Sequence, residues 1–222
     1  MTVPTRVVAM MKKTLIALLV IQATVFSRVD GQTNSAPSTG AHGQTVETIV
    51  CIRHGEELPA GLGQLTCRGL NRALALPSVL LGKYGRPQFV FAPNPTQRVD
   101  GENHDEYFYV RPLATIEPTA IRCDLPVNTQ FGWREIEGLE TELEKPEYQN
   151  ATIFIAWEHH RIEEFVKDLL KTNGGNPSQV PAWPSQDYDT IFVVRITRSG
   201  PAKSVAFTID HEGLDHLSDT CP

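Results

Sequence analysis

The chain lacks an excess of positive charge: 20 Lys+Arg face 26 Asp+Glu, for a formal net charge of −6. A nucleic-acid binder needs a basic face that displaces counterions from phosphates, so this balance argues against that class. Cysteine is scarce, four in 222 residues, with no CxxC pair and no Cys/His spacing of a zinc site. There is no internal repeat, and the 16 Gly and 16 Pro follow no period, which excludes collagen-like and low-complexity architectures. Charged residues reach only 21% against 41% hydrophobic, too few for a disordered chain. The longest apolar run, residues 15–26, is short for a helix crossing a ~30 Å hydrocarbon core. What remains is one globular domain of ordinary length.

That apolar run has a meaning of its own. Lys12 and Lys13 precede it, and Ser27, Arg28 and Asp30 follow. A basic segment ahead of a short apolar one is the pattern of a secretory signal peptide, expected over residues 1–31 with cleavage after Gly31 or Ser27. Residues 32–45 are rich in Ser, Thr, Gly and Gln and read as a linker, leaving residues 46–222 as the folded domain. The expected location is periplasmic or secreted, with no membrane contact unless the leading segment stays as an anchor. Export permits disulfides, and the four cysteines allow three full pairings. Cys51 lies inside an apolar strand pattern and reads as a buried free thiol.

From Thr45 onward strand and helix signals alternate, which favours an α/β layer architecture. Residues 48–52 and 152–157 are short, apolar and β-branched, suited to strands buried on both faces. Residues 89–92 form a third such run and open into a long polar loop over 93–109. Helical spacing marks 66–81, where Pro77 should kink or divide the helix, and 111–122. Ile136, Leu139 and Leu143 mark a further helix face, and Ile162, Phe165, Val166, Leu169 and Leu170 another. Residues 191–196 and 204–209 should pair as a hairpin around Ser199-Gly200-Pro201.

Open α/β sheets bind ligands beyond the carboxyl ends of their strands. Three strands here release the chain into reactive residues at that edge. One delivers Arg53-His54-Gly55-Glu56; the second leads through the polar loop to Arg111; the third delivers Glu158-His159-His160-Arg161. Arginine forks match phosphate oxygens, and a neutral imidazole nitrogen can attack phosphorus.

Arg53-His54-Gly55-Glu56 after an apolar strand, then LTCRGLNRA, resembles the opening of the histidine phosphatase superfamily, the phosphoglycerate-mutase-like proteins. Arg111 within RPLATIEPTA is similar to that family's second arginine motif, and IFIAWEHHR to the strand ending in its second histidine. The match spans about residues 49–170 in order and looks like an exported, bacterial-type member. The resemblance implies a three-layer α/β/α sandwich with a mostly parallel central sheet. It implies a phosphoric monoester hydrolase of the histidine acid phosphatase type, acting on a small phosphorylated substrate without metal or other cofactor. His54 would be the nucleophile, with Arg53, Arg111 and His159 holding the phosphoryl oxygens.

The departures concern three places. Where the family's mutases carry an Asn soon after the first motif, residues 57–61 read ELPAG. The long loop postpones the second arginine to Arg111 and leaves Arg98 as a rival. For the proton donor the sequence offers Glu117, Glu135, Glu137 and Glu140, or His160 directly after the second histidine; Glu137 and His160 are the candidates. Glu56 and Glu158 read as structural partners of arginines. His211-Glu212-Gly213-Leu214-Asp215-His216 lacks metal-site spacing. The acidic loop with Asp100, Glu102, His104, Asp105 and Glu106 reads as a solvated surface that would also disfavour polyanionic substrates.

Overall fold

The computed structural model describes residues 43–101 and 105–222. The expected signal segment, most of the linker, and Glu102 and His104 lie outside the described residues.

Strands β1 (Thr45–Arg53), β2 (Phe89–Phe91), β5 (Val127–Asn128) and β6 (Thr152–Trp157) run parallel, and β7 (Thr190–Ser199) and β8 (Ala202–His211) complete the sheet antiparallel. The order across the sheet is β5-β2-β6-β1-β7-β8. Successive strand residues point to opposite faces, and here both faces are covered. Ile49, Cys51, Ile153 and Ile155 pack with Leu139 and Leu143 of α3 (Ile136–Leu143) and Phe165 and Val166 of α4 (His159–Thr172). Val50, Ile52, Phe154 and Ala156 pack on the other side with Leu76 and Leu80 of α1 (Cys67–Tyr84) and Ile116 and Ala120 of α2 (Arg111–Arg122). The result is the expected three-layer sandwich. No helix among the described residues is long and apolar enough to cross a membrane.

Two local expectations change. Pro77 does not divide α1, which continues to Tyr84. Its ring is buried in the core, and that burial offsets the intrahelical hydrogen bond proline cannot make. The polar loop after β2 is partly structured: β3 (Arg98–Asp100) and β4 (Glu106–Phe108) pair antiparallel. Gly63 backs this hairpin with φ +68°, where a Cβ would lie 2.0 Å from the Phe108 carbonyl oxygen. Only glycine fits there.

Of the three cysteine pairings, the structure holds a single bridge, Cys67–Cys221, across 154 residues. Cys51 and Cys123 are free and buried. The bridge ties the start of α1 to the chain end, where Arg68 and Asn71 also bind the terminal segment.

Candidate active site

The parallel register of β1 and β6 sets the site. Arg53 lies opposite Trp157, and the His54 backbone N–H donates to the Trp157 carbonyl at 3.1 Å. The first histidine motif and the second therefore leave the sheet side by side. Gly55 follows because α1 passes close: a Cβ there would lie 2.9 Å from the Gly69 carbonyl oxygen. Thr66 caps α1 by accepting from the Gly69 N–H at 3.1 Å. Arg72, one turn further, holds the Glu56 carboxylate with Nε and Nη2.

His54 is buried. Its Nδ1 lies 2.8 Å from the Gly55 carbonyl oxygen, which can only accept, so Nδ1 bears the proton and Nε2 keeps its lone pair. Burial, and then the Arg111 and Arg53 cations, hold the imidazole well below the ordinary histidine range. It is thus a neutral nitrogen base with one free face.

Arg53 and Arg111 are both buried. Arg53 Nη1 donates to Ser185 O (2.5 Å) and Asp187 O (3.2 Å), and its guanidinium stacks 3.8 Å from the Tyr188 ring. Arg111 opens α2, whose first N–H groups donate to Gly63 O, and its guanidinium lies 4.8 Å from the Tyr109 ring. Thr115 Oγ1 joins the two motifs, accepting from Gly55 N and donating to Arg111 O, both at 2.8 Å. Glu57 contacts both arginines, through Arg111 Nη2 at 2.8 Å and Arg53 Nη2 at 3.5 Å.

His159 starts α4 behind its N-cap, Glu158, which accepts from Arg161 N at 2.9 Å. Its Nδ1 lies 2.6 Å from Glu158 Oε1 without the alignment of a hydrogen bond. Burial pushes the Glu158 carboxyl up, but the His159 ring and the backbone N–H groups of His160 and Arg161 outweigh it and bring it down to about 2. His160 is exposed, its ring centroid 4.0 Å from that of His159.

A common feature emerges. Arg53 Nε, Arg111 Nε and Nη1, His159 Nε2 and the Tyr109 hydroxyl are buried without a hydrogen-bond partner among the described residues. Native interiors satisfy nearly all such groups, so this concentration at one sheet edge marks a place built to receive acceptor oxygens. The N-termini of α2 and α4 add positive ends of helix dipoles there. Tyr109, Arg111, Glu158 and His160 line a cavity of about 390 Å³ whose wall includes Val99, Asp100 and Trp133.

No family model and no curated protein matches the sequence. Among solved structures, a mycobacterial glucosyl-3-phosphoglycerate phosphatase is similar with a TM-score of 0.48 at 15% identity, over 74% of this chain and 97% of that one. A phosphoglycerate mutase from Plasmodium falciparum also scores 0.48, at 12% identity over 78% and 95%. A structure from Nakamurella multipartitia, described as a candidate phosphohistidine phosphatase, reaches 0.50 at 14% identity, covering 75% of this chain and 96% of its own. On that last likeness the fold is the expected phosphoglycerate-mutase-like one.

Within this phosphoglycerate-mutase-like fold, the expected residues separate clearly. Arg53, His54, Arg111, His159 and His160 come together at one edge. Arg98 does not join them: it is exposed on β3, stacks 4.6 Å from Phe108 and donates to Glu106 O. Nor does the structure bring the candidate glutamates there. Glu117 is exposed on α2, Glu135 accepts from Gly132 N, and Glu137 lines a neighbouring cleft with Arg134 and Asp168. Burial and then Asp168, Glu137 and Glu144 raise Glu140 to about 7, but it faces Glu47 and Arg198 at the opposite end of the strands.

Glu56 is an arginine partner, as expected. Glu212 and Asp215 of the HEGLDH segment also bind Arg72, at 2.6 and 3.1 Å. Sequence reasoning passed over Glu57, Tyr109, Trp133 and Tyr188. The placement of Tyr109 two residues ahead of Arg111 was the one available signal; the others depend on loop geometry.

Proposed function

We propose that this chain belongs to the histidine phosphatase superfamily and hydrolyses small phosphomonoesters through a phosphohistidine on His54. The observation that carries this reading is the set of unmet buried donors around a neutral imidazole whose Nε2 lone pair is free. In the first step that lone pair forms the N–P bond while the ester P–O bond breaks and the leaving oxygen takes a proton. Water then attacks phosphorus, the N–P pair returns to His54, and inorganic phosphate departs. Arg53, Arg111 and His159 hold the three equatorial oxygens and stabilise charge in the transition state. The phosphatase name of the overlaid Nakamurella protein supports the same reading at the level of fold.

The basic-then-apolar leading segment and the Cys67–Cys221 bridge support export to the periplasm or beyond. Fractionation of cells expressing the tagged full chain tests this, and a cytosolic product would count against it.

The decisive assay is hydrolysis of p-nitrophenyl phosphate by the full chain from acid to neutral pH, with EDTA present, beside His54→Ala. Turnover that resists EDTA and vanishes in the variant supports the proposal. One observation favours a second reading, metal-dependent hydrolysis: Glu158, His159 and His160 offer ligand atoms within 4.8 Å of one another. Activity abolished by EDTA and restored by zinc would select it. An inactive wild type that still binds phosphate would indicate a binding module of the same fold.

A further inference from the structure

Glu57 stands one residue past the Glu56 that Arg72 immobilises, and a β-bridge to Leu65 fixes its backbone. Its carboxylate spans the cradle, with Oε2 on Arg111 and Oε1 facing Arg53. One anion thus meets both guanidinium groups, one oxygen to each, as a phosphoryl group would. The surrounding charged and titratable groups are Arg53 and His54 of β1 and its exit, Arg111 of α2, Tyr109 ahead of α2, Tyr188 ahead of β7, and Glu56 beside it. Glu57 is partly exposed while both arginines are buried, so its side chain has room to withdraw.

The other carboxyl groups are committed elsewhere. Glu117, Glu135, Glu137 and Glu140 stand away from the cradle, and Glu158 is held as the cap of α4. Glu57 alone of these touches the arginines.

We propose that Glu57 is the resident anion of the cradle, that it yields both arginines to the incoming phosphoryl oxygens, and that it then delivers the proton to the leaving oxygen. This rests on the phosphohistidine reading above. The physical reason is direct: a carboxylate that loses two guanidinium partners and gains a phosphoryl dianion as neighbour binds a proton from solvent. As the His54 Nε2 pair forms the N–P bond, the ester P–O pair moves to the leaving oxygen and the Glu57 O–H proton goes with it. In the second half the Glu57 carboxylate takes a proton from the attacking water, whose oxygen forms the new P–O bond as the N–P pair returns to His54.

The test is Glu57→Gln in the full chain, with glycerol 2-phosphate and p-nitrophenyl phosphate as esters and inorganic phosphate as the calorimetric probe. Glutamine keeps the shape but neither competes as an anion nor supplies the proton. Phosphate should bind on the order of tenfold tighter once the internal competitor is gone. Turnover of the alkyl ester, whose leaving oxygen needs a proton, should fall ~10²–10⁴-fold, and that of the aryl ester at least about tenfold less. Glu57→Asp, which retains the acid, should recover part of the alkyl activity. Equal losses on both esters with weaker phosphate binding would make Glu57 a structural brace and overturn the proposal, as would unchanged turnover of both. Failure of the underlying reading looks different: the wild type itself then turns over neither ester.

Discussion

Arg72, wholly buried in α1, grips the Glu56 carboxylate at 3.0 Å through Nε and 2.8 Å through Nη2. Glu56 is two residues beyond His54, so a residue outside the cradle fixes the loop that presents the proposed nucleophile. The same guanidinium binds Glu212, which is also buried, and Asp215. Removing one partner of a buried ion pair strands the others. Arg72→Met should therefore destabilise the fold by about 3–5 kcal/mol, read by urea unfolding. A loss below ~1 kcal/mol would show that the cluster is dispensable.

The choice between the two arginines is sharp. Arg111→Lys keeps the charge but loses the fork, and should cost kcat/KM on p-nitrophenyl phosphate roughly 10²–10³-fold. Arg98→Ala touches only the outer face of the hairpin and should stay within about threefold of wild type. The reverse ranking would move the second phosphate arginine to Arg98.

Burial and the cations of Arg111 and Arg53 depress the His54 imidazole, so the ring stays neutral well into acid. Activity should not decline as pH drops through ~6.5, the ordinary histidine value. The linkage has a matching sign. The unfolded chain takes up this proton below ~6.5 while the folded one resists it, so stability is complete above that pH and erodes as pH falls toward the folded value. The melting temperature of the wild type should fall relative to that of His54→Asn as pH drops through this range, because the variant lacks the slope.

The Cys67–Cys221 bridge closes a long loop. Reduction should cost roughly 2–5 kcal/mol of unfolding free energy while leaving the free Cys51 and Cys123 buried in the native state. Denaturant titrations with and without dithiothreitol measure it, with Cys221→Ser as the control.

Periodicity and short motifs carried much of this protein. The both-faces apolar pattern of residues 48–52 and 152–157 placed β1 and β6 in the middle of the sheet, and α2 and β6 begin and end where their patterns do. The histidine and arginine motifs were legible because each directly follows a strand or opens a helix, where local sequence dictates direction. Tertiary structure decided the rest. The pairing of Cys67 with Cys221, the convergence of Glu212 and Asp215 on Arg72, and the placing of Arg111 rather than Arg98 near Arg53 join residues far apart in the chain, and no local pattern encodes a long-range contact. Glu57 is the clearest case. In sequence it is one acidic residue among many, and it becomes the cradle's counter-ion only because β1 and α2 bring Arg53 and Arg111 to either side of it.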